Sequence, residues 1–338
     1  MNILVTGSNG QLGSSIRKLT GNCDDTYFFT SFTPNPDNGI EKLDITDSDS
    51  VDEYIKTHNI DIVINCAAYT NTAEAQIEPH LARFINVDAV SYLCSAIKRR
   101  NGLIVHISTD YVFSGGDYNL PLVEEDEENP DGVYATTKLD GEDAVAISGA
   151  KWVTLRTSWV YSEYGGNFCK TILGKLKDGS HMQVVYDQVG TPTYAGDLAV
   201  GILKVIEEYK DGGVEKNRWE KEGLYHFSNE GVCSWYDFAQ MIRLLSGHEN
   251  DSVIEPSFTD IENCTFLRPS YSVLSKSKFK KNFSHDIPYW VDSLKICLKN
   301  LNTQLCPDNI HPHSDTTGLS NKIIAGVYIN ELNGTLYI

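Results

Sequence analysis

The turn Gly7-Ser8-Asn9-Gly10-Gln11-Leu12-Gly13 constrains this chain more than any other stretch. It follows Asn2-Ile3-Leu4-Val5-Thr6, which reads as a short buried strand, and it precedes Ser14 to Leu19, which reads as a helix. Strand, glycine turn and helix together open a dinucleotide-binding βαβ unit. Each glycine has its own reason. Gly7 permits the tight turn, Gly10 lets a pyrophosphate approach the backbone, and Gly13 lets the helix pack closely on the sheet. The amides of the helix N-terminus then face the anion. The spacing is Gly-x-x-Gly-x-x-Gly, so it is the strand before it and the helix after it that give the motif its weight.

The next elements continue that pattern. Tyr27 to Thr30 reads as a second strand, and Thr30-Ser31-Phe32-Thr33 stands at its end, where an acid would hold the adenosine ribose. No acid is there to repel a ribose phosphate and no arginine to hold one, so NADPH and NADH both remain open. Leu43-Asp44-Ile45-Thr46-Asp47 reads as a strand end followed by a helix cap. Asp44 can reach an adenine amino group or simply close the turn. Asp61-Ile62-Val63-Ile64-Asn65-Cys66-Ala67-Ala68 is a buried strand ending in small residues, over which a cofactor can lie. Residues 80–100 read as one long helix, with Leu81, Phe84, Val87, Val90 and Leu93 near one face. Leu103 to Ile107 is a further strand, apolar enough to be buried on both faces as in a parallel sheet. His106 within it reads as a packed strand residue and not as a base.

Ligands of an open parallel sheet bind at the carboxyl ends of its strands. Ser108-Thr109-Asp110-Tyr111 stands at such an end and supplies hydroxyls and a carboxylate. The acidic segment 123–131 reads as a solvated connection. A helix follows, running through Tyr134-Ala135-Thr136-Thr137-Lys138 to about Ser148. Tyr134 and Lys138 are four apart, so they leave one helix face a turn apart. That spacing sets a phenol beside an ammonium, whose charge favours the ionised phenol. Such a pair suits proton transfer near neutral pH. Trp152 to Arg156 reads as another strand, with Thr157-Ser158-Trp159-Val160-Tyr161 after it.

Alternating strands and helices predict an α/β fold, a doubly wound parallel sheet of Rossmann type. The dinucleotide-binding domain spans residues 1–160. Residues 161–301 form mainly a smaller mixed α/β substrate domain, with segments returning to the main sheet. Residues 302–338 remain an unassigned tail, in which His311-Pro312-His313 reads as solvated.

Composition narrows the function. A net charge of −18 argues against a nucleic-acid or anionic-membrane binder. No apolar run approaches the roughly 18 residues that a membrane span needs, and Met1-Asn2 leads straight into the first strand without a leader pattern. Eight cysteines without a Cys-x-x-Cys pair predict reduced, mostly buried thiols in a cytoplasmic protein.

The combination resembles an extended short-chain dehydrogenase/reductase, and in detail the dTDP-4-dehydrorhamnose reductases. The stretches that carry the resemblance are 108–113, 133–142, 156–161, Asn167-Phe168, 187–193 and 268–274. It implies reduction of the 4-keto group of a dTDP-linked 6-deoxy sugar by NADPH or NADH. Tyr134 would donate the proton, Lys138 would lower the Tyr134 pKa and bind the nicotinamide ribose, and Thr109 would hydrogen-bond the reacting oxygen. Thr109, Asp110 and Trp159 would contact the sugar. Gly10, Gln11, Leu12, Asp44, Ile45, Ala68, Tyr69 and Thr70 would line the cofactor. It leaves a homodimer open.

Two departures stand out. The family pattern Val-Asp-x-Ala-Glu is replaced by Thr72-Ala73-Glu74-Ala75-Gln76, with two acids lost. Ser15 occupies the position where some members carry a glutamate used for magnesium at a dimer contact, so no metal site is expected. An epimerase or dehydratase on the same fold, and a non-catalytic regulatory subunit related to that of methionine adenosyltransferase, remain as alternatives. Tyr111 after Asp110, in place of the dehydratase glutamate, disfavours dehydration.

Overall fold

A computed structural model describes residues 1–304, apart from 22, 117, 213–218, 249–252 and 261–263, together with 328–330 and 335–337. His311-Pro312-His313 lies outside the described residues.

The first half builds one sheet. Its strands are β1 (Asn2–Thr6), β2 (Thr26–Ser31), β3 (Ile40–Lys42), β4 (Ile62–Asn65), β5 (Leu103–Thr109) and β6 (Lys151–Thr157). The sheet has seven strands in the order β11-β6-β5-β4-β1-β2-β3, and every pairing is parallel. The added edge strand, β11 (Gly223–His226), comes from the second half of the chain and pairs with β6.

The strand sequences explain the layering. Side chains alternate across a sheet. Ile3, Val5, Ile62, Ile64, Val105 and Leu155 therefore face one side. There they meet α1 (Gln11–Leu19) and α8 (Ala195–Gly212), which buries Leu198, Ile202, Val205 and Ile206. Leu4, Val63 and Ile104 face the other side, against α2 (Ser48–Thr57) and α5 (Ala89–Arg99). Both faces are covered, which is why these strands read as continuous apolar runs. Chain order reverses between β1 and β4, and the crevice opens at their carboxyl ends.

A second core forms beyond β6. Helices α7 (Phe168–Lys177), α9 (Trp235–Leu245) and α11 (Trp290–Gln304) bury Phe168, Ile172, Phe238, Ile242 and Leu294 together. Short strand pairs brace them. β7 (Val160–Tyr161) pairs with β10 (Thr193–Tyr194), β8 (Met182–Val185) with β13 (Ile254–Ser257), and β9 (Val189–Gly190) with β12 (Cys233–Ser234). Among the described residues the cysteines are free thiols, with Cys94, Cys169, Cys233 and Cys297 buried. No described helix is long and apolar enough to cross a membrane.

Two sequence expectations are corrected here. The helix expected over 80–100 forms, but it is not uniformly an α-helix and its first turns are not part of the buried face. α3 (Thr72–Ile77) ends at Glu78, whose backbone leaves the helical region ahead of Pro79, and α4 (Pro79–Arg83) restarts there. A π turn over Phe84–Asp88 then joins α4 to α5. Proline suits the first turn of a helix and cannot continue the one before it. Leu81 and Phe84, expected near the apolar face, are in fact exposed.

The acidic segment 123–131 is also more than a solvated connection. Glu124 is buried and accepts the His226 N–H at 2.8 Å, while Glu128 pairs with the buried Arg156. The segment therefore closes the sheet's outer strands against the helix that follows it.

Candidate active site

A cleft of about 940 Å³ runs along the carboxyl ends of β1, β4, β5 and β6 and continues to α7 and α9. Its first part is the glycine turn. Gly7 has φ +62°, and a Cβ there would lie 2.7 Å from the Ala67 nitrogen, so only glycine lets the β1 and β4 ends approach this closely. A Cβ on Gly13 would lie 2.6 Å from the Ser8 Cα, and Gly13 does not itself line the cleft. Gly10 caps α1 with no side-chain cap bond, and the first turn carries no acid. The cradle of backbone amides and the absence of repelling carboxylate fit a dinucleotide pyrophosphate.

Gln11, Leu12, Asp44, Ile45, Ala67, Ala68 and Thr70 line this part of the cleft with Gly7 and Gly10. Two of these have prior commitments. The Gln11 amide donates to the Val160 carbonyl at 3.2 Å and accepts from Ser162 and Asn167, each at 3.0 Å. It thus ties the cofactor turn to the second core. The Asp44 Oδ1 accepts from Thr46 N and Oγ1 at 3.0 and 2.6 Å, so it closes a turn at the cleft edge. Tyr69 is placed otherwise than expected. Its hydroxyl donates to Glu78 at 2.8 Å and its N–H to Asn86 at 2.9 Å, and the residue does not line the cleft.

The reacting groups meet at the end of β5. Thr109, Asp110, Tyr134 and Lys138 all line the cleft. The Thr109 hydroxyl faces the same part of the cleft as the Tyr134 phenol and donates to the Asp110 carboxylate at 3.2 Å, while the Tyr111 ring packs edge-on to Tyr134 with centroids 5.4 Å apart. Both side chains belong to local structure: Thr109 caps the short turn Asp110–Phe113, and Tyr134 stands in the first turn of α6 (Gly132–Ala146). Lys138, 2 % exposed, reaches under the helix and donates to the Ile107 carbonyl at 2.6 Å.

The electrostatics correct one expectation. Burial pushes the Tyr134 phenol above its ordinary value, and only the Thr109 hydrogen bond works against it. The Lys138 ammonium is directed to the strand carbonyl. Burial also lowers Lys138 to about 8, against the opposing pull of Glu142. Asp110 is raised to about 6 by burial, with Ser272 and Thr109 holding it down. His106 is fully buried, touches Asn65 at 3.1 Å and is pushed well below its usual range, so it stays neutral.

Trp159 lies where the cleft enters the second core, with φ +49°. It stacks on Trp235 with centroids 3.7 Å apart and planes 11° apart. Arg268, which opens the 268–274 stretch of the resemblance, and Trp235, which the sequence does not single out, also line the cleft. Trp235 looks like the first apolar residue of an amphipathic helix, and only its three-dimensional neighbours distinguish it.

Asn86 is likewise unmarked in sequence. From the π turn its amide bonds the Tyr69 carbonyl at 3.2 Å and Thr137 Oγ1 at 3.1 Å, so it joins the cofactor loop to α6. Gln76, in the departing 72–76 stretch, accepts the Val133 N–H at 3.2 Å. A neutral amide thus holds the start of the Tyr134 helix. Ser15 is buried and donates to the Gln11 carbonyl at 2.9 Å.

Comparisons with known proteins agree with this arrangement. Residues 1–303 match the family model described as the RmlD substrate binding domain. The dTDP-4-dehydrorhamnose reductase of Aggregatibacter actinomycetemcomitans is 36% identical over 302 residues, covering 87% of this chain and 97% of that protein. The crystal structure of a dTDP-4-dehydrorhamnose reductase from Clostridium acetobutylicum superposes with TM-score 0.80 at 36% identity, covering 89% of this chain and all of that one. That of Bacillus anthracis, in complex with NADP, gives TM-score 0.74 at 32% identity, covering 88% of this chain and 99% of that one. This chain belongs to the family of the dTDP-4-dehydrorhamnose reductases.

Proposed function

We infer that this chain is an NAD(P)H-dependent oxidoreductase that reduces the 4-keto group of dTDP-4-dehydro-L-rhamnose to give dTDP-L-rhamnose. One observation carries the reading: a protonated phenol and a hydroxyl, Tyr134 and Thr109, converge in a cleft that begins at a glycine cradle for a dinucleotide. When bound, the nicotinamide supplies the hydride that reaches the keto carbon.

The chain's own groups handle the oxygen. As the carbonyl oxygen takes on charge, the Tyr134 O–H gives it a proton, and the Thr109 O–H donates a hydrogen bond to it. The upward displacement of the Tyr134 pKa suits this direction, because the phenol keeps its proton at neutral pH until an alkoxide, a far stronger base, arrives. Lys138 would turn its ammonium from the Ile107 carbonyl to the nicotinamide ribose hydroxyls. Asp110 and Trp159 would hold the sugar. Gly7, Gly10, Leu12, Ile45, Ala67, Ala68 and Thr70 would line the cofactor, with Gly13 and Gln11 positioning the turn. Residues 1–160 would bind the dinucleotide, and elements from 161–301 would complete the sugar end. The relatives are ketoreductases, so epimerisation, dehydration and binding without turnover gain no support from them.

The test is NADPH or NADH oxidation with dTDP-4-dehydro-6-deoxy-L-mannose. Consumption of one cofactor per sugar is expected. A folded sample that consumes none would refute the reaction. The same assay reads a pH limb. Lys138 carries its charge below about pH 8 and loses it above. kcat/KM, which reports the free enzyme, should therefore fall as pH rises through that region. Lys138→Met should show low kcat/KM throughout and no such limb. A wild-type profile that stays flat there would remove Lys138 from the mechanism.

A further inference from the structure

We propose that Trp235 is a positioning residue that holds the Trp159 indole across the sugar end of the cleft, and so sets affinity for the 6-deoxy sugar and not for the nucleotide or cofactor. The proposal rests on the reductase reading for the identity of the sugar.

Trp159 has an unusual backbone for a bulky residue. Its φ of +49° lies in the left-handed region, which side chains other than glycine and asparagine seldom occupy. Such a conformation persists only where the surroundings hold it. They do so on three sides. The Trp159 carbonyl accepts the Thr193 N–H at 3.2 Å, and the neighbouring Ser158 hydroxyl donates to the Thr191 carbonyl at 2.7 Å. Gly190 makes room for the indole: a Cβ there would lie 2.8 Å from two ring atoms, Cε2 and Cζ2. Trp235 supplies the parallel contact at 3.7 Å.

Trp235 is itself firmly set. It is the first residue of α9, directly after the N-cap Ser234, which forms a reciprocal capping box with Asp237. The β12–β9 pairing puts Cys233 opposite Gly190 and Ser234 opposite Val189. The Phe168 ring meets the Trp235 indole at 4.7 Å, inclined by 64°. The segments 157–161, 189–193 and 233–235 therefore converge on one indole. Trp159 and Trp235 are both half-buried: they pack against the second core on one side and line the cleft on the other. A flat apolar ring presented at a cleft wall matches the C–H face and methyl group of a 6-deoxy sugar. Without Trp235, nothing in this group of contacts keeps the ring flat against that wall.

Binding of dTDP-L-rhamnose and of dTDP, each titrated calorimetrically against wild type, Trp235→Ala, Trp235→Phe, Trp159→Ala and the double Trp159→Ala/Trp235→Ala variant, tests this. In Trp235→Ala the affinity for dTDP-L-rhamnose should drop roughly tenfold, the size of one lost aromatic pair, while dTDP and NADPH change less than about twofold. Trp235→Phe should restore most of the loss. The double variant should bind no more weakly than Trp159→Ala, because Trp235 acts through that ring. The circular-dichroism couplet of the stacked indoles should vanish in every variant lacking either ring. Equal loss of dTDP and dTDP-L-rhamnose, or additive losses in the double variant, would overturn the proposal. A wild-type protein that binds dTDP-L-rhamnose through Trp235 but oxidises no NADPH would refute the reaction and leave this inference standing.

Discussion

Tyr134→Phe should lower kcat by about 10²–10⁴-fold, the range expected for a lost general acid, with NADPH affinity within about twofold of wild type. The change removes one oxygen and keeps the ring, so the edge-on contact with Tyr111 survives. What disappears is the Tyr134 phenol oxygen at the end of the cleft that carries Thr109. Thr109 could still donate a hydrogen bond to the sugar oxygen, but it has no proton to give up at neutral pH. Single-turnover measurement of NADPH oxidation isolates the chemical step from release. A Tyr134→Phe variant with wild-type kcat would mean that the proton comes from elsewhere in the cleft. Lys138, held on the Ile107 carbonyl, would then be the next group to examine.

Arg156→Ala should destabilise the fold by about 3–5 kcal/mol, because it leaves a buried carboxylate without its cation. The Arg156 side chain is 1 % exposed. Its Nε and Nη2 donate to Glu142 at distances between 2.7 and 3.1 Å, and Nη2 also reaches Glu128. The guanidinium lies 5.1 Å from the Phe113 ring centre. Glu142 takes a further hydrogen bond from Ser108. One guanidinium thus fastens β6, α6 and the acidic segment to the strand end that carries Thr109. Arg156→Lys should recover only part of the loss, since an ammonium keeps the charge and lacks the planar fork. Urea unfolding reads both. An unchanged midpoint in Arg156→Ala would show that the cluster contributes no net stability.

The network also shows why part of the site could not be read from the chain. Residues 123–131 look like a charged loop, and charged loops are usually solvated. Glu124 and Glu128 are drawn inward by His226 and Arg156, which lie 102 and 28 positions away. The break near residue 78 has a local sign in Pro79, whereas the π turn over Phe84–Asp88 has none, because the apolar spacing from Leu81 onward keeps a helical period through it. Asn86 reaches α6 from that π turn and Gln76 reaches it from α3. The expectation that Lys138 lowers the Tyr134 pKa rested on spacing and on the family resemblance. Spacing sets which face two side chains leave, and burial decides where the ammonium goes.

The sequence by itself determined the dinucleotide cradle, the parallel sheet and the placing of Tyr134 and Lys138 on one helix face. These rest on short-range rules: a backbone at φ +62° that needs glycine, apolar runs that need two covered faces, and a four-residue spacing on a helix. Only the tertiary structure decided that Gln11 spans the two cores, that Tyr69 turns away from the cleft, and that Trp235 lies flat on Trp159. Each of these depends on a partner far along the chain. The physical reason is that a local pattern states what a residue can do, while burial and long-range packing select which of those things it does.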